Sequence, residues 1–204
     1  MTYLFAHPFA VLQRLAEHVE LTVLALVAAS AIALPLGIFV AKNERAGRLV
    51  LGVLNTVYTL PSLAVFALLI PVLGIGTLTA LVALVAYAQM ILVRNVAAGL
   101  RGVPRATVDA ARGLGMTPAQ SLWRVELPQA LPVIVGGIRI ATVTLIALAS
   151  LAAWINAGGL GVLILYGLQH DDPGRAVTGS VLAAALAIGA DTALRRLQRR
   201  VRTG

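Results

Sequence analysis

The sequence predicts an all-α, multi-pass membrane protein with about five transmembrane helices, the N-terminus outside and the C-terminus in the cytoplasm. Three observations carry this. Hydrophobic residues make up 59% of the 204 and charged residues only 12%, against about 25% charge in an average soluble domain. Five apolar stretches come close to, or exceed, the roughly 20 residues a helix needs to cross a bilayer core of about 30 Å. Finally, the basic residues cluster in alternate loops. A soluble chain with so little charge would lack the polar residues to cover its surface.

The elements follow in order. Residues 1–18, MTYLFAHPFAVLQRLAEH, lack the basic opening of a signal peptide and read as a short amphipathic helix at the outer interface. The spans are then Val19–Ala41, Leu49–Leu73, Thr77–Ala98, Leu131–Ala153 and Ala176–Leu194, the last being the shortest. Residues 19–194 thus form one transmembrane domain with a polar loop at 99–130, and residues 195–204 form a basic tail, lipid-facing or solvated.

Orientation comes from Lys and Arg, which stay on the cytoplasmic side of span ends. Lys42, Arg45 and Arg48 follow span one; Arg101, Arg105, Arg112 and Arg124 follow span three; Arg195, Arg196, Arg199, Arg200 and Arg202 follow span five. Five spans put all three clusters on one side. The net charge of +8 therefore reflects orientation and attraction to a lipid surface, with no nucleic-acid partner. Arg94 and Arg139 lie within reach of the same face.

Several spans carry small residues at helical spacing. Ala25, Ala29, Ala33 and Gly37 form a stripe on span one, and Gly179, Ala183 and Ala187 one on span five. Such stripes let helix backbones approach where lipid gives no hydrophobic push. Pro35 and Pro61 interrupt the hydrogen-bond ladder inside spans, so neighbouring helices or water must satisfy the freed carbonyls. Asn55, Thr56, Gln89, Asn95 and Thr144 either face a path through the membrane or bond helix to helix. Asn55, Tyr58, Pro61, Gln89 and Asn95 are the candidate path residues. Asp191 and Arg195 stand at the spacing of a helical ion pair.

The chemistry is sparse. The chain has no cysteine, which excludes disulfides and Cys-based metal sites. No carboxylate pair, Ser/His/Asp set or metal-ligand spacing falls at membrane depth, so the sequence points to no catalytic residue, metal or cofactor. It also has no GxxxxGK[ST] loop for ATP.

The loop DAARGLGMTPAQSLWRVELP, residues 109–128, is the exception to this blandness. Pro104 suits a first helical turn, RATVDAAR reads as helix, and Gly113 and Gly115 stop it. Thr117, Pro118 and Gln120 then start a second short helix with a capping box. LPQALP is expected to end that helix and turn the chain back into the bilayer. The spacing predicts two short helices around a sharp glycine bend.

This stretch resembles the "EAA" coupling motif of ABC importer permeases: Glu-Ala-Ala, three residues, Gly, nine residues, Ile, any residue, Leu-Pro. Asp109, Ala110, Ala111, Gly115, Val125, Leu127 and Pro128 keep the spacing, with Asp for Glu and Val for Ile. YTLPSLAVFALLIPVLGIGTLTAL at 58–81, VRNVAAGLRGVP at 93–104 and AWINAGGLGVLI at 153–164 resemble the osmoprotectant branch of these permeases.

The resemblance implies a type I ABC importer permease fold in the cell membrane. It also implies a second permease subunit (an identical copy or a relative), cytoplasmic ABC ATPase subunits and an extracytoplasmic substrate-binding protein. Asp109, Ala110, Ala111 and Gly115 would form the docked coupling helix and its bend, with Leu127 and Pro128 anchoring the return. Glycine betaine, choline, carnitine or proline would be the solute. The alternatives are a permease for methionine or an oxyanion, an intramembrane enzyme, or a stand-alone channel. Aromatic residues are only 5% of the chain. The sequence therefore suggests a weak solute cavity here and leaves the aromatic cage that a quaternary ammonium prefers to the binding protein.

Overall fold

The computed structural model describes residues 2–203, so Met1 of the N-terminal segment and Gly204 of the basic tail lie outside the described residues. Among the described residues ten α-helices run in order: α1 Thr2–Ala6, α2 Pro8–Lys42, α3 Glu44–Thr59, α4 Ser62–Leu73, α5 Thr77–Arg101, α6 Arg105–Gly113, α7 Pro118–Ser121, α8 Leu127–Leu151, α9 Gly161–Gln169 and α10 Pro173–Thr203. A π-turn, Leu122–Glu126, joins α7 to α8, and a 3-10 turn, Ala152–Ile155, follows α8. Among the described residues four helical segments are long and apolar enough to cross a membrane; the bent pair α3–α4 makes a fifth span if taken together.

The centre is a packed triad of α2, α5 and α8, with α10 and α9 against the outer side of α8 and α3 and α4 alongside α5. The small-residue stripe explains how closely α2 meets its neighbours. Ala25, Ala29, Ala33 and Gly37 are all buried, and a Cβ on Gly37 would sit 2.5 Å from Val96 Cβ. On α8, Gly137 leaves the space that Asn95 fills. Contacts this close gain dispersion energy between helices, the main attraction available in lipid.

Three differences from the sequence reading have physical causes. The second span is not one helix: it breaks at Leu60–Pro61 and bends by 99°. Pro61 cannot donate to the ladder and forces extended geometry on the residue before it, here Leu60 at φ −67°, ψ 142°. By contrast, Pro35 stays inside the continuous α2.

LPQALP does not end a helix either. Leu122–Glu126 widens into a π-turn, and Leu127 N–H bonds back to the Leu122 carbonyl. The wider turn accommodates Pro128, which lacks an N–H, and helix continues from Pro118 to Ile155 over 38 residues. Lastly, α2 starts at Pro8, so residues 8–18 continue the first membrane helix outward.

Candidate functional site

The polar loop folds as a capped elbow. At the end of α6, Met116 N–H bonds to the Ala111 carbonyl (3.1 Å) and Gly115 N–H to the Arg112 carbonyl (2.9 Å). This pair is a Schellman ending, which requires a left-handed residue at Gly115, and its φ is +80°. The capping box is present on the other arm: Gln120 N–H donates to Thr117 Oγ1 at 3.3 Å and Thr117 N–H to Gln120 Oε1 at 2.9 Å. Ser121 Oγ, donating to Glu126 Oε1 at 3.0 Å, braces the π-turn.

The six motif residues occupy different places in this elbow. Ala111 and Leu127 are buried, while Asp109, Ala110, Gly115 and Pro128 face outward. Asp109 lies 3.9 Å from Arg112, both largely exposed. Between them, the base of α5 and the start of α3 is an open cavity of about 690 Å³ lined by Glu44, Arg101, Arg105, Asp109, Arg112 and Glu126. Arg101 is tied to the Val40 carbonyl at 2.6 Å, which fixes the loop to the end of α2. Two prominent features escaped the motif reading: Leu114 is 80% exposed and Trp123 62%. The available signal was an apolar side chain at each position within an otherwise polar loop.

The candidate path residues do not form one cluster. Asn55, Tyr58 and Pro61 are exposed on the bent α3–α4 pair. Tyr87 reaches them from α5: its hydroxyl donates to the Leu60 carbonyl, and its ring meets Tyr58 edge-on at 6.1 Å and 64°. A helix break at this depth leaves carbonyls without intrahelical donors, and Tyr87 supplies one. Gln89 instead faces α2, donating to the Ala29 carbonyl at 3.1 Å. Asn95 donates to Ile91 on its own helix at 2.8 Å and packs against Gly137.

At the outer end, the loop after α8 is held by α2. Gly159 N–H donates to Glu17 Oε2 at 2.9 Å and Leu160 N–H to His18 Nδ1 at 3.3 Å. With Nδ1 accepting, the proton of neutral His18 is on Nε2, which donates to the Ile146 carbonyl at 3.1 Å. Arg14 pairs with the same Glu17 carboxylate at 2.8 Å. Among the described residues no group of three metal-ligating side chains is found.

The bundle thus carries one capped elbow, built from α6, the Gly115 bend and α7. Residues 33–203 match the model of a protein family described as binding-protein-dependent transport system inner membrane component.

The chain belongs to that family.

This inner membrane component has curated relatives across most of its length. It is 39% identical to the choline transport system permease protein OpuBB of Bacillus subtilis over 91% of this chain and 85% of that one. It is 37% identical to that organism's glycine betaine/carnitine/choline permease protein OpuCB over 98% and 93%, and 41% identical to the osmoprotectant import permease protein OsmW of Salmonella typhimurium over 89% and 87%. Among solved structures, an inward-facing form of the MetNI methionine ABC transporter superposes with a TM-score of 0.86 at 26% identity, covering 96% of this chain and 98% of that one. The protein is a multi-pass permease subunit of an ABC importer.

Proposed function

We propose that this permease imports osmoprotectants such as glycine betaine, choline, carnitine or proline, powered by cytoplasmic ATPase subunits and supplied by an extracytoplasmic binding protein. The single observation carrying the solute class is identity of 37–41% with osmoprotectant, choline and carnitine permeases over about nine-tenths of the chain. A second permease subunit completes the path, and the bent α3–α4 pair with Asn55, Tyr58 and Pro61 lines it.

The α6–α7 elbow is the coupling element. Asp109, Ala110, Ala111 and Gly115 present the helix and its bend to the ATPase, with Leu114 the apolar tip. Leu127 and Pro128 begin the helix that returns to the membrane. When the ATPase pair closes on ATP, the elbow moves as a unit because both arms are capped, and α8 carries the motion inward to outward. Gln89 and Asn95 hold α5 against α2 and α8 within the moving bundle.

The experiment is uptake by the full transporter of radiolabelled glycine betaine, choline, carnitine and proline, with methionine as the control. Uptake of methionine but none of the four would overturn the solute assignment while leaving the permease role intact.

A further inference from the structure

The inner end of α10 meets α8 through a shared carboxylate. Asp191 stands as an ion pair 2.7 Å from Arg139 Nε and accepts a hydrogen bond from Arg195 Nη2 at 2.9 Å. Gln198 completes the junction, accepting from Arg139 Nη1 at 3.1 Å and donating to the Pro132 carbonyl at 2.9 Å. Asp191 is the sole acid after Asp172, against Arg195, Arg196, Arg199, Arg200 and Arg202 on the same segment. The segment therefore carries an excess of positive charge.

Helix length bears on its depth. From Arg139 outward to Ile155, and from Asp191 outward to Pro173, the helices rise about 24 and about 27 Å at 1.5 Å per residue. Both distances approach the roughly 30 Å of hydrocarbon core, which puts the ion pair toward the inner headgroup region. Two cavities of about 430 Å³ each open there. Arg139, Arg195, Gln198 and Arg199 line one; the other shares Arg139 and Gln198 and adds Asn95. Just outward, Ile140 and Ile188 are 51% and 67% exposed, and only 11% of the apolar window of α10 is buried.

We propose that Arg139, Arg195 and Arg199 form a binding site for the phosphate of an anionic phospholipid of the inner leaflet. Guanidinium forks match phosphate oxygens in pairs. Asp191 and Gln198 hold Arg139 in place, so little side-chain freedom is lost on binding. Asn95 and Gln198 offer amides to a hydroxylated headgroup, and the acyl chains lie on the Ile140 and Ile188 side. A soluble anion would use the arginines but gain nothing from that apolar flank.

The test is native mass spectrometry of the full chain in mild detergent, titrated with phosphatidylglycerol, with phosphatidylcholine of the same acyl chains, and with inorganic phosphate. Phosphatidylglycerol is expected to be retained about tenfold better than phosphatidylcholine, from the gain per surface arginine. R195Q/R199Q should bring it to the phosphatidylcholine level, whereas R196Q/R200Q, with equal charge removed, should retain it. R199Q alone leaves both Asp191 pairs in place and should still lose about threefold or more, which keeps the test valid if the double variant misfolds. Equal retention of the two lipids, or equal loss in the two double variants, would overturn the site. So would complete displacement by inorganic phosphate, which would reassign the arginines to a free anion.

Discussion

His18 on α2 and Leu160 at the foot of α9 are joined through the ring nitrogen Nδ1, at 3.3 Å, while the opposite nitrogen holds the Ile146 carbonyl of α8 at 3.1 Å. One imidazole thus ties together three segments far apart in the chain. Neither bond can be replaced by water, because His18 is fully buried. Gly159 permits the approach: its φ is +79°, and a Cβ there would meet Nδ1 at 3.0 Å.

His18→Ala should cost about 3 kcal/mol, since it leaves the buried Leu160 N–H unpaired and opens a cavity. Thermal unfolding of the purified chain in detergent measures it. A loss within error of zero would show that the clamp contributes nothing to the fold.

Gly115→Ala strains a left-handed position, for about 1 kcal/mol. Gly115→Pro fixes φ near −65° and also removes the N–H bonded to Arg112. The Ala variant should lower uptake modestly. The Pro variant, like Asp109→Lys, should abolish uptake while the chain still inserts and the ATPase still turns over. Transport at the wild-type rate by the Pro variant would remove the elbow from the coupling path.

Tyr87→Phe strips the Leu60 carbonyl of its donor at the helix break, a loss of about 1 kcal/mol. Hydrogen exchange across residues 58–65 should quicken by about fivefold, with the rest of α3 and α5 unchanged. Equal exchange in both proteins would mean that Pro61 alone sets the bend.

Gly37→Val drives a side chain into Val96, which lies 2.5 Å from the added Cβ. Overpacking of this kind typically costs about 1–3 kcal/mol. Gly52, with open space around it, is the control: Gly52→Ala should leave thermal stability unchanged or raise it slightly. A Gly37→Val protein as stable as the Gly52→Ala control would show that α2 and α5 are not locked at that crossing.

Much of this fold was legible because lipid leaves the sequence few options. Apolar length pointed to the spans, and the Ala25-to-Gly37 stripe marked the face of α2 that packs closely against other helices. The elbow was readable because its signals are local: a glycine at the left-handed position and a Thr–Gln capping box act within a few residues.

What stayed hidden depends on partners distant in sequence. His18 and Gln89 look alike as isolated polar residues. Only packing shows that one meets the loop after α8 and the other an α2 carbonyl. The continuation of helix through LPQALP was missed because the π-turn that absorbs Pro128 has no sequence signature of its own.

That continuity has a mechanical consequence. From Pro118 to Ile155 the backbone is one rod of 38 residues, about 57 Å long at 1.5 Å per residue. His18 holds it at the Ile146 carbonyl, the His18 and Glu17 bonds hold the loop just past its far tip, and its backbone widens at Leu122–Glu126. Were the proposed elbow driven from its base, a rod held at its outer end would pivot there, with the widened turn acting as the wrist.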